Sequence, residues 1–190
     1  ATSLRHRLLQ PETLVCPGVF NALVARMAKQ ANFESVYISG GATANVAGVP
    51  DTGLLSLTEF TRTIREIVDA SGLPVVADAD TGYGEEENAV RTIVEYGRTG
   101  AAALHVEDQV FPKRCGHLDG KQCVPADDFA QKINEVANQT GVRAHLSDDK
   151  LRVVIESETG KDIIVSDFSF AGTFDSQVVD ERTKSLTGAI

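Results

Sequence analysis

The sequence predicts an α/β protein built on a parallel sheet, and three observations carry that reading. From Leu14 to about Gln139 a short apolar run, a loop containing glycine or aspartate, and a helical stretch follow one another four times. Strands that alternate with helices in this way form parallel sheets with helical crossovers. Polar and glycine residues also crowd the C-terminal end of the runs, as Ser39-Gly40-Gly41, Asp78-Ala79-Asp80-Thr81-Gly82 and Glu107-Asp108, the edge at which open α/β sheets and barrels bind ligands. Finally, 190 residues with 42% hydrophobic and 24% charged side chains suit one globular domain with a sizeable core and exclude disorder, collagen and coiled coil.

In chain order, strands are expected at Leu14–Pro17, Ser35–Ser39, Pro74–Asp78 and Ala102–Glu107, with helices near Ala22–Gln30, Leu57–Ala70, Glu85–Tyr96 and Asp127–Gln139. The helices are read from apolar residues recurring at three and four, as in Phe60, Ile64, Ile67 and Val68, or Phe129, Ile133 and Val136. These four units run from Leu14 to about Gln139, whereas a closed eightfold barrel takes about 250 residues, so the sequence accounts for about four βα units, a partial barrel. In the tail, residues 141–190, Leu151–Ser157 alternates, Glu158-Thr159-Gly160-Lys161 reads as a turn and Asp162–Val165 as a returning strand. A β-hairpin is therefore expected there, with a turn-rich, unassigned stretch after it.

Charge narrows the partners. Lys and Arg number 18 against 27 Asp and Glu, a net charge of −9 without any basic run, which argues against nucleic acid. No apolar stretch approaches the roughly 18 residues of a membrane span, and the N-terminus lacks the apolar block of a signal peptide; a soluble, cytoplasmic protein without membrane contact is expected. Cys16, Cys115 and Cys123 are an odd count without a CxxC or zinc spacing, which points to a reducing compartment rather than a disulfide framework.

Several residues could carry chemistry. Asp78 and Asp80 emerge together at a strand's end, with alternation pointing both to one side of the chain, and Mg2+ takes one or two protein carboxylates with waters and substrate oxygens for the rest; alternatively, one of them caps the next helix. Glu107 and Asp108 would stand beside them as a second carboxylate layer, or as a solvated acidic loop, with His105 read as a satisfied core histidine. Lys113-Arg114-Cys115-Gly116-His117 places two cations and a histidine around one thiol. Such neighbours favour thiolate chemistry, as nucleophile or as general acid and base, though an ordinary basic loop has the same composition. In Tyr37-Ile38-Ser39-Gly40-Gly41, small residues let backbone amides approach an anion and Tyr37 offers a phenol; a tight turn is the alternative. Asp51 extends the acidic cluster or serves turn chemistry, and Glu85-Glu86-Glu87 suits a helix N-terminus.

Taken in order, Pro17-Gly-Val-Phe-Asn21-Ala22, Tyr37-Ile-Ser-Gly-Gly41, Pro50-Asp51-Thr-Gly53, Asp78-Ala-Asp80-Thr-Gly-Tyr-Gly84, Glu107-Asp108-Gln109 and Pro112-Lys-Arg-Cys-Gly-His117 with Gly120-Lys121 resemble the isocitrate lyase and phosphoenolpyruvate mutase superfamily, most closely its 2-methylisocitrate lyase branch. The resemblance spans about residues 4–140. It implies a (β/α)8 barrel that uses Mg2+ to cleave a carbon–carbon bond of a 2-hydroxy polycarboxylate, giving pyruvate and succinate from 2-methylisocitrate; relatives act on isocitrate, dimethylmalate or oxaloacetate, or rearrange a phosphonate. It further implies that Asp78 and Asp80 hold Mg2+ with Asp51 and Glu107 supporting its water shell. Ser39, Gly40, Gly41, Arg114 and Gly116 would bind substrate, Cys115 would be the catalytic acid with Lys113 and His117 completing its loop, and Tyr37 a base near the substrate hydroxyl. A homo-oligomer is expected. After Gly141 the family's later strands, with their arginine and glutamate for substrate carboxylates, have no counterpart, so an inactive, partial homologue acting as an assembly partner is the competing expectation.

Overall fold

The computed structural model describes residues 2–140, 142–146 and 153–157. Four strands, β1 (Gly18–Val19), β2 (Val36–Ile38), β3 (Val75–Asp78) and β4 (Ala103–His105), form one sheet in the order of the chain, and every pairing is parallel. Helix α1 (Thr2–Leu8) precedes the sheet. Helix α2 (Ala22–Gln30) joins β1 to β2, α3 (Gly40–Ala47) and α4 (Leu57–Ser71) join β2 to β3, α5 (Glu86–Thr99) joins β3 to β4, and α6 (Ala126–Thr140) follows β4. A parallel sheet in sequential order with a helical crossover after each strand is the arrangement of consecutive units of a (β/α)8 barrel.

Local chemistry sets these boundaries. Asn21 caps α2 by accepting a hydrogen bond from the Val24 amide, and α4 begins in a reciprocal capping box between Ser56 and Glu59. At its other end Gly72 takes φ +62°, a left-handed C-cap that a side chain would strain. Phe60, Ile64 and Ile67 of α4 are fully buried against Val36, Ile38, Val75 and Ala77 of the sheet, with Tyr96 of α5 and Phe129 and Ile133 of α6 completing the core. Each large apolar side chain buried in this way contributes roughly 1.5–3 kcal/mol.

The structure moves three expected elements. The first strand is Gly18–Val19 rather than Leu14–Pro17: pairing starts where the Tyr37 amide donates to the Pro17 carbonyl at 2.9 Å, and the core takes Val19 while Val15 is 60% exposed. Ser39-Gly40-Gly41 is no turn but the start of α3, with Ser39 as N-cap; glycine content hid a helix of small residues. In the tail the alternating segment forms strand β6 (Val153–Ser157), but its antiparallel partner is the preceding β5 (Val142–Leu146), which alternates as well. The expected turn and returning strand at Asp162–Val165 lie outside the described residues. No helix among the described residues is long and apolar enough to cross a membrane.

Candidate active site

The C-terminal edge of the sheet gathers four carboxylates around one ammonium. Lys113, on the long connection after β4, is 2% exposed, and its Nζ lies 2.8 Å from Asp51 Oδ1, in contact with Asp80 Oδ1, and 3.8 Å from Glu107 Oε2. Asp78, at the end of β3, completes the group: its Oδ2 accepts the Gly40 amide and its Oδ1 the Asp80 amide, both at 2.9 Å. Strand alternation alone does not align the two aspartates, because β3 ends at Asp78 and Asp80 sits at φ +47°.

Glycine makes this convergence possible. A Cβ on Gly40 would stand 2.5 Å from Asp78 Oδ2 and 3.1 Å from Asp80 Oδ1, so only glycine lets the N-terminus of α3 close on both carboxylates. The exposed amides and dipole of a helix N-terminus favour negative charge there.

The loop that carries both aspartates, residues 78–84, is fixed from outside. Its carbonyls accept hydrogen bonds at Asp78 from Tyr96 Oη (2.9 Å), at Asp80 from the Glu107 amide (2.7 Å), at Gly82 from Thr92 Oγ1 (3.0 Å), and at Thr81 and Gly84 from Lys132 Nζ (3.0 and 2.7 Å). Sequence reading missed Tyr96, Thr92 and Lys132. The usable signal was a tyrosine at a core-facing helical position, since a buried phenol needs a partner.

Electrostatics split the acids. Burial acts to raise the pKa of Asp78, but its hydrogen bond and charge interaction with His105, together with Lys113, hold it below the ordinary range. Burial and the neighbouring Asp78 charge push Asp80 up to about 6 against the pull of Lys113. Burial raises Glu107 to about 7, with Lys113 opposing and Asp78 and Asp80 adding. Lys113 is held above its usual value because Asp80 and Asp51 outweigh the desolvation that opposes its charge.

Tyr37 and His105 meet beside this cluster. The Tyr37 hydroxyl is 2.9 Å from His105 Nε2, with the rings edge-on at 5.4 Å, and the same nitrogen is 3.3 Å from Asp78 Oδ1. His105, read from sequence as a core residue, thus links the phenol to the acidic group. Cys115 is half-buried on the connection after β4, whose ends are tied together by Val110 N–H to Gln122 O and Val124 N–H to Asp108 O. The two cations beside the thiol have other partners: Lys113 faces the carboxylates, and Arg114 Nη1 donates to the Asp119 carbonyl at 3.0 Å. The Gly116 carbonyl accepts from Lys121, and His117 is exposed.

Among the described residues, no three His, Cys, Asp or Glu side chains form a ready-made metal cage. Mg2+ needs only one or two carboxylates plus water and substrate oxygens. Asp80 Oδ1, in ion-pair contact with Lys113, is buried without a directed hydrogen bond, and one ammonium leaves most of the carboxylate charge uncompensated. These residues therefore fit a hard divalent cation.

A family model described as phosphoenolpyruvate phosphomutase matches residues 4–147. The chain is 46% identical over 137 residues to a probable 2-methylisocitrate lyase 2 of Corynebacterium glutamicum, covering 72% of this chain and 45% of that protein. It is 41% identical over 134 residues to the 2,3-dimethylmalate lyase of Eubacterium barkeri, covering 70% and 46%. Among solved structures it is similar to a phosphonopyruvate hydrolase in complex with oxalate and Mg2+, with a TM-score of 0.65, 31% identity, and coverage of 72% of this chain and 47% of that one. The chain spans about half the length of the curated relatives it matches.

Proposed function

Because the chain belongs to the phosphoenolpyruvate mutase and isocitrate lyase superfamily, we propose that it is an Mg2+-dependent lyase that cleaves a carbon–carbon bond of a 2-hydroxy polycarboxylate. Its substrate is taken as 2-methylisocitrate, with pyruvate and succinate as products. The observation that supports this reading most is the convergence of Asp51, Asp78, Asp80 and Glu107 on the buried Lys113, beside the Tyr37–His105 pair. The acidic balance, net charge −9, also suits a small-molecule partner better than nucleic acid. Cytoplasmic placement and homo-oligomerisation belong to the same reading.

The chain's own groups supply the proton transfers. The substrate hydroxyl must lose its proton before the bond breaks; in this reading the Tyr37 oxygen takes it while the phenol passes its own proton to His105 Nε2, and the Asp78 carboxylate beside that nitrogen offsets the imidazolium charge. Gly40 spends its amide on Asp78, and the Ser39 oxygen accepts from the Ala42 amide. That leaves the Ser39 proton and the Gly41 amide for a substrate carboxylate. As the bond breaks, its electron pair moves to the carbon beside the departing carboxylate, and the Cys115 S–H protonates that carbon; the thiolate then recovers a proton from solvent. Mg2+ bound at Asp78 and Asp80, with Asp51 and Glu107 holding its waters, would offset charge developing on the keto-acid oxygens. Lys113 balances the carboxylates, and Arg114, Gly116 and His117 add substrate contacts from the same connection.

The alternative drawn from the sequence, an inactive homologue that assembles with a complete relative, is separated from the lyase by one assay. Product formation would be followed by NMR for 2-methylisocitrate, isocitrate, dimethylmalate, oxaloacetate and phosphonopyruvate, because the last two are themselves keto acids and a keto-acid assay cannot read their turnover. Mg2+-dependent release that disappears in Cys115→Ser supports the lyase. Silence with all five, joined to co-purification with a full-length relative, supports the partner.

A further inference from the structure

We infer that Gln109 is a positioning residue that locks the peptide preceding Cys115 to the Glu107 carboxylate; this deepens the lyase reading and rests on Cys115 being its acid. Gln109 is buried, and its side-chain amide makes three hydrogen bonds. Its Oε1 accepts the Arg114 amide at 3.0 Å, and its Nε2 donates to the Arg114 carbonyl and to Glu107 Oε2, each at 2.9 Å. The orientation is fixed by chemistry, because the Arg114 N–H can only donate and therefore needs the amide oxygen. The NH2 group is then directed at the two acceptors, so both donors are used and a flipped amide would lose all three bonds.

The consequence is geometric. Arg114 is joined covalently to both Lys113 and Cys115, so one amide holds the peptide between the buried ammonium and the thiol. Its third bond refers that peptide to Glu107, which follows the end of β4. The outer part of the connection is strapped separately, by Arg114 Nη1 on the Asp119 carbonyl and Lys121 Nζ on the Gly116 and Leu118 carbonyls. These straps hold the outer part together but do not tie it to the sheet. Beside the ion pairs of Lys113 with Asp51 and Asp80, Gln109 is the group that holds the Arg114 backbone itself, and a thiol that must deliver a proton to one carbon needs placement to within a fraction of an ångström.

Two variants test this. Gln109→Leu keeps the volume and removes all three bonds; Gln109→Glu keeps an acceptor for the Arg114 amide, loses both donors and sets a second carboxylate against Glu107. The readout is the rate of iodoacetamide alkylation at each cysteine in the full chain, resolved by peptide mass spectrometry. Cys16, 3.3 Å from Ser35 Oγ and half-buried near the start of the sheet, serves as the internal reference for an intact fold. Each backbone bond lost is worth roughly a factor of five in the closed-to-open ratio, so alkylation of Cys115 is expected to rise about 25-fold in Gln109→Leu, which loses both bonds to the Arg114 backbone, and about fivefold in Gln109→Glu, which loses one, with Cys16 unchanged. In the active chain kcat falls by a larger factor than KM rises, the signature of misplaced chemistry beyond weakened substrate contacts on the same connection. An unchanged Cys115 rate in both variants overturns the inference, as does a parallel rise at Cys16, which marks a merely structural role. Absence of turnover in the unmodified chain would refute the lyase reading instead and leaves the alkylation comparison standing.

Discussion

Replacing Lys113 by methionine removes the positive charge from the middle of the acidic cluster while keeping the length of the stem. At 2.8 Å and an effective dielectric constant of about 20, the Lys113–Asp51 attraction alone is roughly 6 kcal/mol. Desolvation offsets part of it, and breaking a buried pair by deleting one partner typically costs about 3–5 kcal/mol. The cost is bounded because the stranded acids can bind protons instead, and Asp80 and Glu107 already sit at about 6 and about 7. Thermal unfolding in EDTA at about pH 7.5 should therefore show a fall in Tm of roughly 10 °C. Saturating Mg2+ should recover part of that loss, since a divalent cation replaces the missing charge. The drop should also shrink near pH 5, where Asp80 and Glu107 are protonated. A Lys113→Met protein as stable as the original in EDTA, or destabilised equally at both pH values and in Mg2+, would refute this electrostatic account of the cluster.

Three further outcomes follow from the same geometry. Gly40→Ala brings a methyl group to 2.5 Å from Asp78 Oδ2 and should weaken Mg2+ or Mn2+ binding roughly 10–100-fold, read by calorimetric titration, with a smaller effect on Tm. Ser56→Ala breaks the capping box of α4 and should cost about 1 kcal/mol in urea unfolding while leaving metal binding unaltered. In EDTA, Asp80, raised from 3.8 to about 6, and Glu107, raised from 4.5 to about 7, bind protons more tightly folded than unfolded. Their destabilising effect is absent below about pH 4 and complete above about pH 7. The urea midpoint of the metal-free chain should thus fall as pH rises through that window, whereas Asp78, held low, acts in the opposite sense only below 3.8.

What could be read from the residues was what local physics dictates. Helix α2 falls at Ala22–Gln30 as expected, because Asn21 supplies a cap and the apolar spacing is helical. The parallel sheet follows from four strand–helix repeats, and that repeat by itself delivers Asp78 and Glu107 to one edge. Strand β1 was misplaced because apolar content marks Leu14 and Val15, whereas burial selects Val19. Helix α3 was hidden by its glycines, which are there for close approach to carboxylates rather than for turning. Non-local partners were not legible. Nothing in the sequence pairs Lys113 with Asp51, sets His105 between Tyr37 and Asp78, or aims Lys132 at the Thr81 and Gly84 carbonyls; those contacts exist only once β2, β3 and β4 lie side by side.

The most direct measurement is product analysis by NMR of 2-methylisocitrate incubated with the chain and Mg2+ in D2O. The account expects pyruvate and succinate in equal amounts, with one deuteron in each succinate at the carbon released by cleavage, and no product in EDTA or with Cys115→Ser. Intact substrate recovered from a folded, Mg2+-binding chain, or product formed equally by Cys115→Ser, would contradict it.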